Sequence, residues 1–402
     1  MGTGGHHQAR HAAVTGISTF YSSNTWIEGS AVDQLKKTFA LPGMQAVAAF
    51  PDLHPGKHGP VGMAALADRL YPQLIGNDIG CGMSLFALDI PLHKVKPAKV
   101  AEAWRGLEGS AELDQETRLE EVGLKSSLLP KALGTIGGGN HFCELQGLAE
   151  KLDASDHTDA QQTYLLVHSG SRGLGNKIQE RFGYFAEGLE ADTDQGQAFM
   201  RQHDMAVIWA RLNRQLIAEH AARELRADLR LVADAPHNGI VGYGKGWLHR
   251  KGAADASGAL VPLAGSRDSL SYLIRPNPAA APAALASLAH GAGRRFDRKN
   301  MIKRIPHKRS DLEQLARNQF GGHIVCEDRK LLIEEAPLAY KSAAQVLADL
   351  EANKLATGVL ALKPIVTFKK TAQADLYAER LAKKAARRQE RIDKQRMQEG
   401  SW

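Results

Sequence analysis

The spacing of apolar residues along the chain predicts long helices and short buried strands. Apolar residues recur three and four positions apart over 31–41 and again from about 196 to 229, a spacing typical of helices that pack on one face. The run TYLLVH at 163–168 and the segment 355–368 are short and largely apolar, which favours buried strands. The pattern therefore indicates a protein that mixes both element types.

Glycine-rich segments separate these elements. Residues 46–88 are dense in turns, and within LIGNDIGCGMSLFALDI at 74–90 we predict two short strands flanking a glycine-rich bend. Such motifs are scattered from 50 to 295 with no clear linker, and helices and strands do not alternate regularly. We therefore predict a single compact α+β domain over residues 1–370, with mixed sheets and long helices around a central cleft.

Composition is that of a globular protein. The chain has 402 residues, of which 43% are hydrophobic and 24% charged. Every apolar run is short and broken by glycine, proline or charge, so we find no signal peptide or membrane span and expect a cytoplasmic monomer. Three cysteines, Cys81, Cys143 and Cys326, are too few for a disulfide framework.

The net charge of +7 is compatible with a polyanionic partner. Residues 371–402 hold eight basic and five acidic residues, and so carry three of the seven net charges. We predict that this segment is a basic helical tail, which either contacts RNA or is simply a solvated helix packed on the body.

Sixteen histidines are many for a chain of this length. Five of them lie beside glycine or asparagine in loops: His54, His141, His168, His237 and His290. One such histidine is more often structural, but five in the same context favour a site, because strands fix the backbone and glycines admit a ligand.

Asp78 and Cys81 lie in the hexapeptide NDIGCG, where two glycines allow a bend that turns both side chains to one point. Carboxylate, thiolate and imidazole ligands together suit zinc, manganese or iron. The alternative is a tight turn with an N-capping Asp78 and a buried Cys81, and the hexapeptide alone leaves both open.

His290, in HGAGRRFDR, is the best candidate nucleophile. A histidine nitrogen can attack phosphorus, small residues at 291–293 give access, and Arg294, Arg295 and Arg298 can neutralise phosphate. The alternative is a helix N-terminus with basic residues on a solvated face. The loops GTIGGGNH and HSGSRGLG could likewise be phosphate cradles or plain turns, and neither is a P-loop.

These motifs together resemble the RtcB family of RNA ligases. Ten runs occur in family order between 51 and about 370: PDLHPGKHGPVG, NDIGCGM, LGTIGGGNHFCEL, VHSGSRGLG, HNGIV, HRKGAA, AGSRDSLSYLI, SLAHGAGR, EEAPLAYK and ALKPIVTFKK. The resemblance implies a domain built around a cleft that holds two Mn²⁺ ions and GTP. It implies that one metal binds Asp78, Cys81 and His141, and that Cys81 is shared with a second metal on His168 and His237.

The resemblance also implies that His290 becomes guanylylated. The nucleotide site that it implies comprises Asn140, His141, Phe142, Cys143, Glu144, His237, Asn238, Ala264, Gly265, Ser266, Arg267, Ser271, His290, Gly291, Ala292, Gly293, Tyr340 and Lys369. Where the family usually reads Pro-Gly-Ser-Met, this chain has Ala264-Gly265-Ser266-Arg267, so we expect a looser loop and an added charge beside the nucleotide.

The activity implied by the resemblance joins RNA bearing a 3′-phosphate or 2′,3′-cyclic phosphate to RNA bearing a 5′-hydroxyl, in tRNA splicing or RNA repair. The N-terminal run NTWIEGSAVDQLKKTFALPGM resembles the subgroup associated with release factor H and ribosomal RNA repair. Two alternatives stay open: a metal-dependent phosphoesterase on RNA ends that does not ligate, and a non-catalytic RNA-binding protein that relies on the tail.

Overall fold

The computed structural model describes residues 16–107, 114–305 and 309–369. The strands are β1 (Gly16–Thr19), β2 (Met44–His54), β3 (Val61–Ala67), β4 (Gly82–Leu88), β5 (Phe142–Lys151), β6 (Thr163–Ser169), β7 (Leu229–Pro236), β8 (Asn238–Tyr243), β9 (Gly246–Lys251), β10 (Ala253–Asp255), β11 (Val261–Leu263), β12 (Ser271–Pro276), β13 (Ser287–Ala289), β14 (His323–Cys326) and β15 (Ala356–Lys369).

The α-helices are α1 (Gly29–Phe39), α2 (Pro97–Ala103), α3 (Gln115–Glu121), α4 (Gly173–Phe182), α5 (Asp194–Leu225), α6 (Arg298–Arg304), α7 (Arg309–Leu315), α8 (Arg329–Glu334) and α9 (Ala343–Ala352). Short 3₁₀ helices span Pro72–Ile75, Leu92–Lys94, Trp104–Gly106, Pro130–Ala132 and Pro337–Ala339. None of the described helices is long and apolar enough to cross a membrane.

Two sheets organise the described chain. The larger has eight strands in the order β11-β12-β15-β5-β6-β4-β7, with β14 also paired to β15. The smaller has five strands in the order β1-β2-β3-β9-β8, and β10 and β13 form a separate two-stranded ladder. Each sheet joins strands from distant parts of the sequence, as where β3 pairs with β9 and β15 with β5. The two sheets therefore form one interwoven unit of the α+β class, as predicted.

Helix α5 is the main support of the larger sheet. Its 32 residues begin at an N-cap, where the Thr193 hydroxyl accepts the N–H of Gly196 at 3.1 Å. Its buried face includes Trp209 and Leu216, which pack in one apolar core, and Ile217 and Ala221, which pack in another. Because two cores share this helix, it fixes the position of the strands beneath it.

Most of the predicted elements are confirmed. The predicted helices at 31–41 and 196–229 are α1 and α5, and the predicted strands at 163–168 and 355–368 are β6 and β15. The prediction of two strands around the bend at 74–90 was wrong, because only the second, β4, forms. Pro72 begins a 3₁₀ helix through Ile75 instead, since proline suits a first helical position but cannot donate to a sheet. The predicted tail lies outside the described residues.

Candidate active site

Four of the five predicted metal ligands lie at one edge of the larger sheet. In the pairing register, Gly82 at the start of β4 lies opposite both Ser169 and Pro236, and Phe142 lies opposite His168. Cys81, His141 and His237 are the immediate neighbours of paired positions at this edge. The register of antiparallel strands therefore brings side chains together that are up to 156 residues apart, from 81 to 237.

The donor atoms of these side chains are within contact distance of each other. Cys81 Sγ is 3.4 Å from His141 Nε2 and 3.3 Å from His168 Nε2. His168 Nε2 is 3.3 Å from His237 Nε2, and His141 Nε2 is 2.8 Å from Asp78 Oδ2. All five predicted ligands therefore converge, with the Cys81 thiol between two groups of donors.

Backbone carbonyls fix the orientation of two rings. His141 Nδ1 is 3.0 Å from the carbonyl oxygen of Ile136, and His168 Nδ1 is 3.2 Å from that of Asn140. A carbonyl only accepts, so each Nδ1 donates a proton to its carbonyl, and each Nε2 faces the cluster. Asp78 Oδ1 and His237 Nδ1 are buried and have no hydrogen-bond partner, so either atom could bind a ligand.

Burial sets the protonation of this cluster. Desolvation and neighbouring imidazoles hold the pKa of His168 and of His237 well below the usual value, so both rings are neutral. Burial and the nearby Asp78 carboxylate raise the pKa of the Cys81 thiol well above its usual value. The thiolate form therefore requires a compensating positive charge.

The bend that carries Asp78 and Cys81 depends on glycine and on α5. Gly80 has a φ of +73°, and a Cβ there would lie 2.8 Å from Val207 Cα on α5. Arg214 of α5 donates to the carbonyl oxygens of Gly80 at 2.8 Å and Ser169 at 3.1 Å. The same arginine thus ties the bend before β4 to the end of β6.

His290 faces this cluster from the opposite side. It directly follows β13, not a helix start as in the alternative considered above, and its ring centroid is 4.6 Å from that of His237. Asp52 Oδ2, at the end of β2, lies 2.6 Å from His290 Nδ1 and accepts the His290 backbone N–H at 3.1 Å. The Asp52 carboxylate accepts a hydrogen bond from Nδ1–H, which leaves the Nε2 lone pair available for nucleophilic attack.

Asp52 was missed as a site residue although it lies in the quoted run PDLHPGKHGPVG. It is fully buried, and its second oxygen, Oδ1, has no hydrogen-bond partner. A carboxylate inside an otherwise apolar strand was the available signal, since a buried charge requires a partner.

A cavity of about 530 Å³ contains this cluster and His290. It is lined by every residue predicted for the metal and nucleotide sites except Cys143 and Ser271. Cys143 points to the other face of β5 and is fully buried in an apolar core with Leu165 and Phe368. Ser271 lies behind the cavity, where its hydroxyl accepts the Gly265 N–H at 3.0 Å and so holds the loop 264–267.

The surroundings of Arg267 differ from the expectation of a looser loop. Its guanidinium donates to the carbonyl oxygens of Glu335 and Leu332, each at 2.9 Å, and the residue is only 5% exposed. The loop itself is held by Ser269, which accepts the Ser266 N–H at 2.8 Å. Arg267 therefore stabilises the wall of the cavity, although this loop has Ala264 in place of a proline.

Glu335 is a second missed residue, although it lies in the quoted run EEAPLAYK. It accepts a hydrogen bond from the Tyr340 hydroxyl and forms ion pairs with Arg294 at 3.0 Å and Arg298 at 3.2 Å. Burial opposes its ionisation, but the positive charges of Lys369 and the two arginines outweigh it and hold the pKa of Glu335 below its usual range. The cationic side of the cavity is thus organised around one buried carboxylate.

Comparison with known proteins identifies relatives of this chain. A family model described as tRNA-splicing ligase RtcB matches residues 34–124 and 124–370. The chain is 41% identical over 368 residues to RNA-splicing ligase RtcB2 of Escherichia coli, a match that covers 88% of this chain and 95% of that one.

More distant relatives match over a similar length. RNA-splicing ligase RtcB1 of Escherichia coli is 26% identical over 80% of this chain and 90% of its own. The tRNA-splicing ligase RtcB of Methanococcus maripaludis is 24% identical over 85% of this chain and 92% of its own. The family model covers well over half of the residues, so the chain belongs to the RtcB ligase family.

Proposed function

We propose that this protein is a GTP- and Mn²⁺-dependent RNA ligase that joins a 3′-phosphate or 2′,3′-cyclic phosphate end to a 5′-hydroxyl end. The observation that carries the proposal is the pairing of His290 with Asp52, beside the Cys81 cluster in one cavity. A buried imidazole with a carboxylate on Nδ1 and an accessible Nε2 is suited to nucleophilic attack on phosphorus.

The residues present fit two divalent metals. Sγ of Cys81 and Nε2 of His141 and His168 lie within 4.8 Å of one another, and all three residues are buried. One position would use Asp78, Cys81 and His141, and the other Cys81, His168 and His237. The unpartnered Asp78 Oδ1 supports a bound cation, because a metal would satisfy that oxygen. A metal would also displace the proton of the Cys81 thiol.

When bound, Mn²⁺ would act as a Lewis acid toward phosphate oxygens. The chain's own residues would do the rest. The nucleotide would occupy the cavity between loop 264–267, loop 290–293 and the residues Asn140, Phe142, Glu144, Asn238, Tyr340 and Lys369. The ammonium of Lys369 and the guanidinium of Arg294 lie on the cationic side, where they would offset phosphate charge.

The proposed reaction has three steps, each of which forms one bond to phosphorus and breaks another. His290 Nε2 would form a bond to the α-phosphorus of GTP as the bond to pyrophosphate breaks, and Asp52 would stabilise the positive charge that develops on the ring. The guanylyl group would pass to the RNA 3′-phosphate, which breaks the P–N bond and restores His290. The 5′-hydroxyl oxygen would then attack that phosphate and release GMP. A cyclic phosphate would first be opened by water.

The RNA that it acts on is proposed from the relatives. Their names specify RNA splicing or tRNA splicing, so RNA ends, from tRNA or ribosomal RNA, are the proposed substrate class. The identity to RtcB2 is 41% against 26% to RtcB1, which supports a specialised subgroup. This proposal includes three further inferences from the sequence: a functional link to release factor H, a cytoplasmic location and a monomeric state.

Labelled nucleotide tests the proposal. Incubation with α-labelled GTP and Mn²⁺ should give a covalent, acid-labile adduct in wild-type protein and none in His290→Ala, while the control His93→Ala, outside the cavity, should label normally. Wild-type protein should then join defined 3′-phosphate and 5′-hydroxyl RNAs. Cyclic-phosphate opening without adduct or ligation would support the phosphoesterase alternative instead.

A further inference from the structure

Trp26 is an exposed tryptophan on a rigidly held segment. Its side chain is 51% exposed, whereas Trp104 and Trp209 are fully buried. The preceding residue is anchored, because the Thr25 hydroxyl donates to the buried carboxylate of Asp349. The following residue is anchored by packing of Ile27 on an apolar core. The backbone thus presents an indole to solvent on a fixed support.

Trp26 is the outer member of a series of alternating rings and guanidinium groups. The Arg295 guanidinium lies 5.5 Å from the centroid of the Trp26 ring and 5.2 Å from that of Phe296. The Arg304 guanidinium lies 4.1 Å from the same Phe296 ring. We call Trp26, Arg295, Phe296 and Arg304 the stacking ladder.

The stacking ladder borders the cavity. Arg295 and Phe296 line it, as does Glu28, two residues after Trp26. Between 294 and 304 the chain has six basic residues and one acidic residue, Asp297. The surface at this border of the cavity is therefore both aromatic and cationic.

We propose that the stacking ladder binds single-stranded RNA next to the end being joined, with a nucleobase stacked on Trp26. This inference rests on the proposed function and adds a binding surface to it. An exposed indole offers a flat face for any base, and guanidinium groups stack on bases and neutralise phosphates. Alternating rings and guanidinium groups suit a flexible RNA strand that enters a phosphate-binding cavity. An acidic protein surface would need the positive charges but not the aromatic rings.

Binding of two labelled decamers of oligoadenylate tests the proposal. One carries a 3′-phosphate and a fluorescein at its 5′ end, and the other a 5′-hydroxyl and a fluorescein at its 3′ end, so the two show which strand uses the ladder. In anisotropy titrations at fixed ionic strength, Trp26→Ala should weaken binding of one decamer by about 5- to 150-fold, the range for one base–aromatic stack. Trp26→Phe should recover part of the affinity.

A scan of single abasic positions makes the readout specific. One abasic position should weaken binding to wild-type protein, and that loss should vanish in Trp26→Ala because the stack is already missing. The matched control is Leu231→Ala, which truncates a residue of similar exposure (50%) on β7, outside the cavity lining. Thermal unfolding verifies that each variant is folded.

The outcomes separate this inference from the proposed function. Wild-type protein that binds both decamers with an affinity unchanged in Trp26→Ala would overturn the stacking ladder alone, and would leave the surface to a protein partner or to simple packing. Wild-type protein that binds neither decamer would overturn the proposed RNA chemistry together with it.

Discussion

The His290 imidazole has its two nitrogens in different surroundings. Nδ1 faces the buried carboxylate of Asp52, and the ring lines the cavity that also holds Cys81. The pair therefore fixes the tautomer and the orientation of the proposed nucleophile. An amide in place of the carboxylate could not stabilise positive charge on the ring and could present a donor to the same nitrogen.

Asp52→Asn should therefore slow the attachment of GMP to His290 by about 10²- to 10⁴-fold, by analogy with other carboxylate–imidazole pairs. The rate is measured with α-labelled GTP. The control Asp68→Asn removes a half-exposed carboxylate from a surface ion pair with Arg69 and should label at the wild-type rate. Equal rates for both variants would show that Asp52 has no role in activating the ring.

The two fully enclosed cysteines make a matched pair with different surroundings. Cys81 touches two imidazoles, whereas Cys143 packs among apolar side chains. Cys81→Ala should abolish binding of Mn²⁺, measured as metal per protein after gel filtration. Cys143→Ala should retain the metal and lose about 1 kcal/mol of unfolding free energy. Retention of full metal content by Cys81→Ala would contradict the shared-thiolate arrangement.

At the scale of elements, α5 holds the loops that carry the candidate metal ligands through two adjacent polar residues. Asn213 accepts the Gly134 N–H at 2.8 Å and donates to the Ser169 hydroxyl at 3.0 Å. Arg214 is fully buried and pairs with Asp234 of β7 at 2.7 Å. A helix that is otherwise an apolar support thus connects the loops that carry the site to the strands β6 and β7.

Arg214→Leu should lower the unfolding free energy by about 3–5 kcal/mol, the typical cost of removing one partner of a buried ion pair. Arg211 binds the same Asp234 carboxylate at 2.8 Å, but its side chain is 67% exposed. Arg211→Ala is therefore the matched control and should cost less than about 1 kcal/mol. Urea unfolding measures the loss of unfolding free energy in each variant. Equal losses would mean that burial does not determine how much each arginine stabilises the fold.

The stability contributed by this ion pair should depend on acidity in a defined direction. Burial opposes ionisation of Asp234, but the Arg214 charge and the hydrogen bonds from Ser84, Arg211 and Arg214 together outweigh it and hold the pKa of Asp234 below its usual value. A lowered carboxyl pKa stabilises the folded state above the unfolded pKa of about 4, and the contribution is lost as pH falls through the folded pKa. The difference between wild type and Arg214→Leu should therefore narrow below about pH 4, as measured by urea unfolding.

At the scale of the whole molecule, the candidate ligands come from four separate segments that only the completed larger sheet brings together. A metal that binds them should therefore stabilise the entire fold. Mn²⁺ at 100 times its dissociation constant should add about 2.7 kcal/mol of unfolding free energy. Thermal unfolding with and without chelator should show a rise in melting temperature that Cys81→Ala abolishes. An unchanged melting temperature in wild-type protein would count against metal binding at this cluster.

The sequence predicted what depends on local pattern and on motif. Periodicity located α1, α5, β6 and β15, and the loop histidines pointed to ligands that the structure places together. Contacts between residues far apart in the sequence could not be predicted. Nothing in the sequence around His290 specifies its contact with Asp52, which is 238 residues away. The orientation of Cys143 away from the cavity was missed for a related reason. A motif lists consecutive residues, whereas alternate side chains of a strand point to opposite faces of the sheet.

Strand β15 also has a consequence for how the chain acquires activity during synthesis. It is the last described strand in the sequence, yet it lies inside the larger sheet, where it pairs with β12, β5 and β14. Until residues 356–369 have been synthesised, β5 and β12 lack the strand that joins them, and the cavity lacks its lining residues Thr367 and Lys369. The proposed guanylylation of His290 should therefore begin only after this strand has emerged from the ribosome, and a nascent chain that has not yet reached it should be inactive toward RNA ends.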